Sequence, residues 1–316
     1  MKTVRVFAPA TVANVGSAFD VLGFALDAPG DTVQATLSAS AGVRVVSISG
    51  DEGRLPLEAD QNTAGVSVRA LLEHLRVSDA RLSEIGIELT IEKGLPIGSG
   101  LGSSSASTVA AVVAANELLG SPLSRLELVP FAMEGERVAC GAAHADNVAP
   151  SLLGGFVLIR SYSPLDVIAL PAPEQVWVSV VSPHLELRTQ DARKVLKKNV
   201  PLASAVAQWG NVAALVAGIY QRDIALMGRS LEDRIVEPER AQLIPGFFEV
   251  KEAALSAGAV GCSISGSGPS IFALSDAEGT AARVGQAMQS VFTGLSVGST
   301  VHVSRVNPTG ARVVAG

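Results

Sequence analysis

Hydrophobic and polar residues alternate along several stretches of the chain, and this period of two predicts half-buried β-strands. In the clearest case, the apolar residues at 85, 87, 89 and 91 are separated by Gly, Glu and Thr. The predicted strands cover 3–8, 32–37, 43–49, 85–91, 156–160, 176–182, 260–264, 270–274 and 299–306. Apolar residues recurring every three or four positions predict helices at 66–75, 124–139, 189–196, 202–220, 242–256 and 280–292, and an Ala-rich helix ends near 119.

Strands and helices are mixed along the chain in an order that fits a two-domain α+β fold. The 316 residues are enough for two domains of ordinary size. Three prolines lie within 161–173, so we place a boundary there, with domains at 1–165 and 166–316. Residues 147–155, just before that boundary, are predicted to form a loop.

A stretch rich in glycine and serine connects the strand at 85–91 to the Ala-rich helix. Its sequence is Gly94-Leu-Pro-Ile-Gly-Ser-Gly-Leu-Gly-Ser-Ser-Ser-Ala-Ser107. Glycines let several backbone N–H groups point the same way, and the helix start adds free N–H groups and a positive dipole end. The stretch therefore predicts a phosphate site, with a flexible turn or a Ser N-cap as the alternative. It is not a Walker A loop, because the chain has no Gly-Lys pair.

Composition and charge narrow the function classes. Hydrophobic residues make up 48% of the chain, charged residues 17%, and the net charge is −6. The chain has no basic run, which argues against a nucleic-acid partner. The first residues lack the apolar core of a signal peptide, and the apolar stretch at 106–119 is too short and polar to span a bilayer. We expect a cytoplasmic protein that does not bind membranes.

Four motifs resemble a known family. The segment from Pro96 to Ala106 resembles the P-x-x-x-G-L-G-S-S-x-A signature of the kinase superfamily that includes galactokinase, homoserine kinase, mevalonate kinase and phosphomevalonate kinase. The segments 9–23 and 261–270 resemble its first and third motifs. His144-Ala-Asp-Asn-Val-Ala-Pro150 is similar to the corresponding stretch of the homoserine kinase branch. Ser105 fits the variable position of this signature, although the usual form of the family has alanine there.

The resemblance implies a fold and a nucleotide site. The N-terminal half should be like domain 2 of ribosomal protein S5, and the C-terminal half should contain a ferredoxin-like βαββαβ unit. ATP should bind between the halves with its triphosphate on the loop. The implied ATP-binding residues are Pro96, Ile97, Gly98, Ser99, Gly100, Leu101, Gly102, Ser103, Ser104, Ser105 and Ala106.

A Mg²⁺ site is implied by the same resemblance. Glu136 matches the metal-ligating Glu of the family, and the hydroxyl of Ser104 is the second protein ligand. One or two protein ligands suffice for Mg²⁺, which keeps waters and phosphates as its other ligands. Glu134 is the alternative carboxylate on the same helix.

The implied acceptor is L-homoserine, a zwitterion with a γ-hydroxyl group. Asp20 resembles the partner of its ammonium group, and Arg193 and Arg240 resemble a clamp for its carboxylate. The other implied substrate-binding residues are Asn14, His144 and Asn147, and Thr189 is a further polar candidate.

Asn147 stands where mevalonate and galactose kinases carry an Asp. An amide cannot act as a base, so the implied catalytic residues Asn147, Glu136 and Ser104 would position groups and neutralise charge. The neighbouring Asp146 is expected to be a structural carboxylate that points away from Asn147.

The implied activity is phosphoryl transfer from MgATP to homoserine, which leads toward threonine. Two alternatives stay open: another small-molecule kinase of the superfamily, such as an isoprenoid-pathway enzyme, and a non-catalytic ligand-sensing relative. A homodimer is compatible with each of these three functions.

Overall fold

The computed structural model describes residues 2–141 and 144–315, with backbone only at Ala139 and Cys140. Its strands are β1 (Thr3–Ala13), β2 (Leu22–Ser38), β3 (Gly42–Ser49), β4 (Gly86–Glu92), β5 (Phe156–Tyr162), β6 (Leu165–Leu170), β7 (Trp177–Pro183), β8 (Gly261–Ile264), β9 (Ile271–Ser275), β10 (Ser299–Arg305) and β11 (Arg312–Val313). Its helices are α1 (Thr63–Arg76), α2 (Ser103–Leu118), α3 (Arg125–Cys140), α4 (Ala145–Leu153), α5 (Thr189–Lys194), α6 (Leu202–Gln221), α7 (Ile224–Arg229), α8 (Glu237–Arg240), α9 (Phe247–Ser256) and α10 (Glu278–Gly294).

The first sheet has seven strands and is built around the long strand β2. Its main path runs β11-β1-β2-β4-β3, and β5 extends it by pairing with both β2 and β6. All of these pairs are antiparallel except β3 with β4. The alternating apolar residues of β4 are buried while the intervening Glu88 and Thr90 are partly exposed, as the period of two predicts.

Helix α2 lies at the centre of the first half. It packs on β1 and β2 and is surrounded by α1, α3 and α4. Fourteen of its sixteen residues are buried, and the exceptions are Ser104 and Glu117. Its small Ala and Ser side chains allow this close packing on several sides, because a helix that is apolar all round needs neighbours all round.

The second sheet confirms the ferredoxin-like expectation. Its order is β10-β7-β9-β8, and every neighbouring pair is antiparallel. Numbered within the unit, this is 4-1-3-2. The segment with α5 to α9 connects β7 to β8, and α10 connects β9 to β10. The α+β fold predicted from the sequence is therefore correct.

The position of the domain boundary stays a prediction. The sequence places it between 165 and 166, but β6 pairs with β5 in the first sheet. This pairing favours a boundary after Leu170. The chain also returns to the first sheet at its end, where β11 pairs with β1.

The predicted loop at 147–155 is wrong over most of its length, because residues to Leu153 form part of α4. The segment contains Pro150 and two glycines, which are residues typical of loops. Burial of Val148, Ala149 and Leu152 in the core outweighs the hydrogen bond that Pro150 cannot donate. The short helices α7 and α8 were also not predicted, since neither is long enough to show a period.

Candidate functional site

A cleft of about 510 Å³ lies at the start of α2. The glycine- and serine-rich loop forms one wall, and residues that follow β7, including those of α5, form another. Side chains from α3, α4 and α8 also reach it. Residues distant in sequence therefore meet in one space, as is usual for a ligand site.

The loop presents the start of α2 to the cleft. Gly102 precedes the helix with a φ of 68°, and no side chain caps the first turn. This leaves N–H groups and a positive dipole end for an anion. The turn at 265–268 supports the loop from behind, since Ser265 donates to the carbonyl of Gly100 at 2.8 Å and the backbone N–H of Ser270 donates to that of Ser99 at 3.1 Å.

Eight of the eleven predicted ATP-binding residues line the cleft, and they are Ile97, Gly98, Ser99, Gly100, Gly102, Ser103, Ser104 and Ser105. The other three are Pro96, Leu101 and Ala106. Leu101 and Ala106 are fully buried in the core, so their contribution is to hold the backbone of the loop. The nucleotide contacts of these eleven residues remain a prediction.

Glu136 is a buried carboxylate at the bottom of the cleft. It is 7% exposed and lines the cleft with Ser104. Burial raises its pKa, while the hydroxyls of Ser104 and Ser105 and the charge of Lys93 lower it. A carboxylate and a hydroxyl are hard oxygen donors, so this pair fits Mg²⁺. Glu134 instead pairs with Arg137 on the surface, 3.1 Å away, and is not part of the cleft lining.

Sequence analysis missed a buried ion pair beneath the loop. The Lys93 ammonium contacts the Asp31 carboxylate and donates to the Ser103 carbonyl at 2.7 Å and the Ser107 hydroxyl at 2.8 Å. Asp31 also accepts from the backbone N–H groups at 94 and 95. The pair thus clamps both ends of the loop. A charged Lys directly before Gly94 was the available signal.

Asp20 and Arg193 meet across the second half of the cleft. An Arg193 nitrogen lies 2.7 Å from Asp20 Oδ1, although the residues are 173 positions apart. Asn14 holds Asp20 in place by accepting from its backbone N–H at 2.8 Å and by donating to the Gly266 carbonyl at 2.8 Å. The sequence prediction that these residues share a site is consistent with this arrangement.

Arg240 is the second guanidinium of this cluster and is only 2% exposed. It donates to the carbonyls of Gly266 at 2.9 Å and Ala192 at 3.3 Å. It and Arg193 both lie over the Phe19 ring, 5.0 and 5.3 Å from its centroid. Burial and the neighbouring Arg193 lower the pKa of Arg240 to about 10, so it is still a cation at neutral pH. Two adjacent guanidinium groups favour an anionic ligand group.

A second contributor that sequence analysis missed, Asp233, holds the segment that carries Arg240. Its carboxylate accepts from the backbone N–H groups of Ile235, Val236 and Glu237 at 2.8 to 2.9 Å. It also accepts from the side chain of Gln208 in α6 at 2.8 Å. These hydrogen bonds hold residues 235–237, which lead into α8.

Asn147 lies between the loop and the Asp20 cluster. Its Oδ1 accepts from the Thr11 hydroxyl at 2.7 Å, and Asn147 lines the cleft. A Cβ on Gly102 would meet Thr11 Oγ1 at 2.2 Å and Asn147 Oδ1 at 2.9 Å. The loop and Asn147 are therefore packed directly together. Thr11 was not predicted as a site residue.

His144 and Asp146 also line this part of the cleft. His144 Nδ1 is 4.0 Å from Asp20, and burial lowers its pKa, which favours the neutral ring. Asp146 is 2% exposed, and its Oδ1 has no hydrogen-bond partner within 2–141 and 144–315. Burial, reinforced by Asp20, raises the pKa of Asp146 to about 7. Asp146 and Asn147 both line the cleft, and the expectation that the Asp146 side chain points away from that of Asn147 stays a prediction. Thr189 lines the cleft as well.

Asp146 predicts a pH-dependent effect on stability. The pKa of the Asp146 carboxyl group is higher in the folded chain than in the unfolded chain. Below about pH 4 the group is protonated in both states. As the pH rises from about 4 to 7 it ionises in the unfolded chain first, and this lowers the free energy of unfolding. Asp146→Asn removes the ionisable group. We expect its stability gain over wild type to be larger at pH 8 than at pH 5 by about 2–3 kcal/mol, measured by urea unfolding at both pH values. Asp27→Asn, at an exposed carboxylate, should show no such difference, and an equal gain at both pH values for Asp146→Asn would contradict this account.

Comparisons with known proteins identify relatives along the whole chain. A family model described as GHMP kinases N terminal domain matches residues 62–155, and one described as GHMP kinases C terminal matches 215–294. A homoserine kinase of Chlorobium phaeovibrioides is 55% identical over 99% of this chain and 100% of its own. A homoserine kinase of Arabidopsis thaliana is 42% identical over 99% of this chain and 85% of its own.

Solved structures show the same likeness. The crystal structure of homoserine kinase from Cytophaga hutchinsonii is 56% identical, with a TM-score of 0.95 over 99% of this chain and 98% of its own. Mevalonate kinase from L. major in complex with R-mevalonate is 16% identical, with a TM-score of 0.70 over 97% of this chain and 96% of its own, and shares the fold.

Proposed function

The chain belongs to the GHMP kinase family, and on that premise we propose that it is a homoserine kinase. It transfers the γ-phosphoryl group of ATP to the hydroxyl of L-homoserine and forms O-phospho-L-homoserine, on the route to threonine. The observation that carries the proposal is the meeting of the phosphate loop, Asn147 and the Asp20–Arg193–Arg240 cluster in one cleft.

The loop half of the cleft would hold the nucleotide. The triphosphate would accept hydrogen bonds from the backbone N–H groups in the first turn of α2. Ser104 and Glu136 would hold Mg²⁺, which neutralises charge on the phosphates when bound. The Lys93–Asp31 pair would keep the loop in place for this contact.

The other half would hold the amino-acid acceptor. Asp20 matches the ammonium group of homoserine, and Arg193 and Arg240 match its carboxylate. Asp146 adds a second carboxyl group on the Asp20 side, and a bound ammonium would lower its pKa and favour its ionised form. The γ-hydroxyl would then extend toward Asn147 and the phosphate loop.

Asn147 would position the hydroxyl without removing its proton. Because its Oδ1 accepts from Thr11, its NH₂ group is the part free to donate to the hydroxyl oxygen. Phosphoryl transfer has a loose transition state, so alignment and charge neutralisation can supply most of the rate. The geometry supports a reaction that depends on positioning more than on a base.

The remaining parts of the proposal concern the setting of the enzyme. We infer a cytoplasmic location, because the proposed reaction consumes ATP and an amino acid. We also infer that the chain forms a homodimer.

Substrate discrimination tests the proposed function. We expect ADP release with L-homoserine and none with mevalonate, measured by a coupled assay on the purified chain. The compound 4-hydroxybutyrate lacks only the ammonium group of homoserine, so it cannot form the proposed ion pair with Asp20, which keeps Arg193 as its partner. Its kcat/KM should be lower by at least about 100-fold, since a site built to bind a polar group of the substrate strongly disfavours an analogue that lacks this group. Turnover of mevalonate but not homoserine would overturn the function, and equal turnover of 4-hydroxybutyrate would overturn the role of Asp20.

A further inference from the structure

Helix α6 exposes an unusual amount of apolar surface. None of its 20 residues is Asp, Glu, Lys or Arg. Leu202, Val206, Trp209 and Tyr220 are 71%, 55%, 62% and 59% exposed. A surface helix normally turns charged side chains to the solvent, so this face of α6 is suited to contact another apolar surface.

The spacing of the exposed residues follows a heptad pattern. From Leu202 the stripe continues in steps of four, three, four, three and four residues through Val206, Trp209, Ala213 and Val216 to Tyr220. Val216 is half-buried because it also packs against the core of its own chain. This alternation is the seam by which two helices pack along their length. We call these six positions the α6 stripe.

The α6 stripe is self-complementary about its centre. If two copies pack antiparallel around position 211, Leu202 faces Tyr220 and Trp209 faces Ala213. A large side chain then lies against a small one at the middle of the contact. Gly210 adds room there, since a Cβ at this position would meet nothing within 4 Å. A glycine inside a helix is unfavourable for the isolated helix, and close approach of a partner is a reason for its presence.

The opposite face of α6 is already occupied by this chain. Leu215 and Ile219 are fully buried in the core. Gln208 donates to the Ser17 carbonyl at 2.7 Å and to Asp233 at 2.8 Å. The helix is therefore fixed in the fold, and only its outer stripe is left to contact a partner.

A membrane is the less suitable partner. By length and composition α6 could cross a bilayer, but its inner face makes the polar contacts described above. Helices that lie on a membrane surface usually carry Lys or Arg on their polar face, and α6 has neither. A second copy of α6 would cover the apolar side chains of the α6 stripe and needs no such charges.

The available area is enough for a specific contact. Four largely exposed apolar side chains, two of them aromatic, present on the order of 500 Å² per copy. Two copies would bury roughly 1,000 Å², which reaches the lower range of specific protein interfaces. The helix is about 30 Å long, so the contact can extend along its whole length.

We propose that the α6 stripe is the interface between two copies of this chain, packed antiparallel about a two-fold axis near Asn211. This locates the homodimer of the proposed function, and it does not depend on the identity of the substrate. Kinase turnover and oligomeric state are measured separately, so the failure of one is distinguishable from the failure of the other.

Val206→Glu tests the interface. The wild-type chain should sediment as a dimer at micromolar concentration, and the variant should raise the dimer dissociation constant by roughly 100-fold or more, because two carboxylates would enter the seam. Leu126→Glu is the matched control at 52% exposure on α3, and it should remain dimeric. Far-UV circular dichroism shows whether each variant is folded. A monomeric wild type, including one that binds vesicles of phosphatidylcholine and phosphatidylglycerol, overturns the proposal, as does an undiminished dimer in folded Val206→Glu.

Cysteine cross-linking tests the antiparallel arrangement directly. The two copies of position 210 would be offset by about 3 Å along the helix axis, and those of position 203 by about 24 Å. A disulfide needs Cα atoms within about 7 Å. Mild oxidation should therefore link Gly210→Cys to itself but not Ala203→Cys, with the wild type and its two native cysteines as the control. Efficient linking of Ala203→Cys with none of Gly210→Cys would overturn the arrangement.

Discussion

Glu136→Gln should lower kcat by about 100- to 1,000-fold, the usual effect of removing one group that stabilises transition-state charge. Glu136 is a buried carboxylate beside Ser104, and the amide keeps its size but loses the charge that attracts Mg²⁺. The Mg²⁺ concentration needed for half-maximal turnover should rise as well. Steady-state assays across a Mg²⁺ titration measure both quantities.

Stability separates this role from a structural one. Burial raises the pKa of Glu136, which means that its ionised form destabilises the folded state at neutral pH. Glu136→Gln should therefore unfold at the same or a higher urea concentration than wild type. Glu134→Gln, on the same helix but paired with Arg137 at the surface, should keep full activity. Unchanged kcat and Mg²⁺ dependence in Glu136→Gln would remove this residue from the metal site.

Asp31→Asn should cost about 3–5 kcal/mol of unfolding free energy, because it leaves a buried ammonium without a counter-ion. The side chains of Lys93 and Asp31 are 2% and 0% exposed. The loss should also loosen the phosphate loop, since the same pair binds Ser103 and Ser107. Urea unfolding at neutral pH measures the stability change.

An exposed ion pair on the same sheet is the matched control for Asp31. Arg44 and Glu88 are 2.8 Å apart and substantially exposed, so Glu88→Gln should cost less than about 1 kcal/mol. Adding Lys93→Met to Asp31→Asn should cost less than the sum of the two single changes, because the unpaired charge is removed. Single and double variants with additive costs would show that the two charges do not stabilise each other.

The features that could be predicted from the sequence are those that a short segment encodes by itself. The strand at 86–92, the glycine loop and α2 follow one another, and each has its own period or composition. The ferredoxin-like second sheet was instead expected from the family resemblance, and the strand, strand, helix, strand order at 260–306 supported it in part. The predicted loop at 147–155 failed because packing of its apolar residues in the core, which no local pattern records, decides its conformation.

In the candidate site, too, the features that could be predicted are those that a short segment encodes by itself. Family motifs located the loop and the Asp20, Arg193 and Arg240 cluster, whose residue types match the charges of an amino acid. Thr11 and Asp233 could not be found in this way, since each acts through a neighbour that is remote in sequence or through backbone N–H groups. Such supporting contacts depend on the folded arrangement and have no signature of their own.

The two carbonyl bonds of Arg240 have a consequence for how the acceptor is recognised. A flexible arginine loses about 2 kcal/mol of side-chain conformational entropy when a ligand immobilises it. Arg240 is already held by Ala192, Gly266 and the Phe19 ring, so that loss occurs during folding. Association with a carboxylate then requires little further ordering on the protein side, and the orientation of the bound molecule is determined before it arrives. In the proposed complex, the cleft would thus be preorganised for one orientation of the acceptor, with its amino-acid end at Arg240 and its hydroxyl toward the loop.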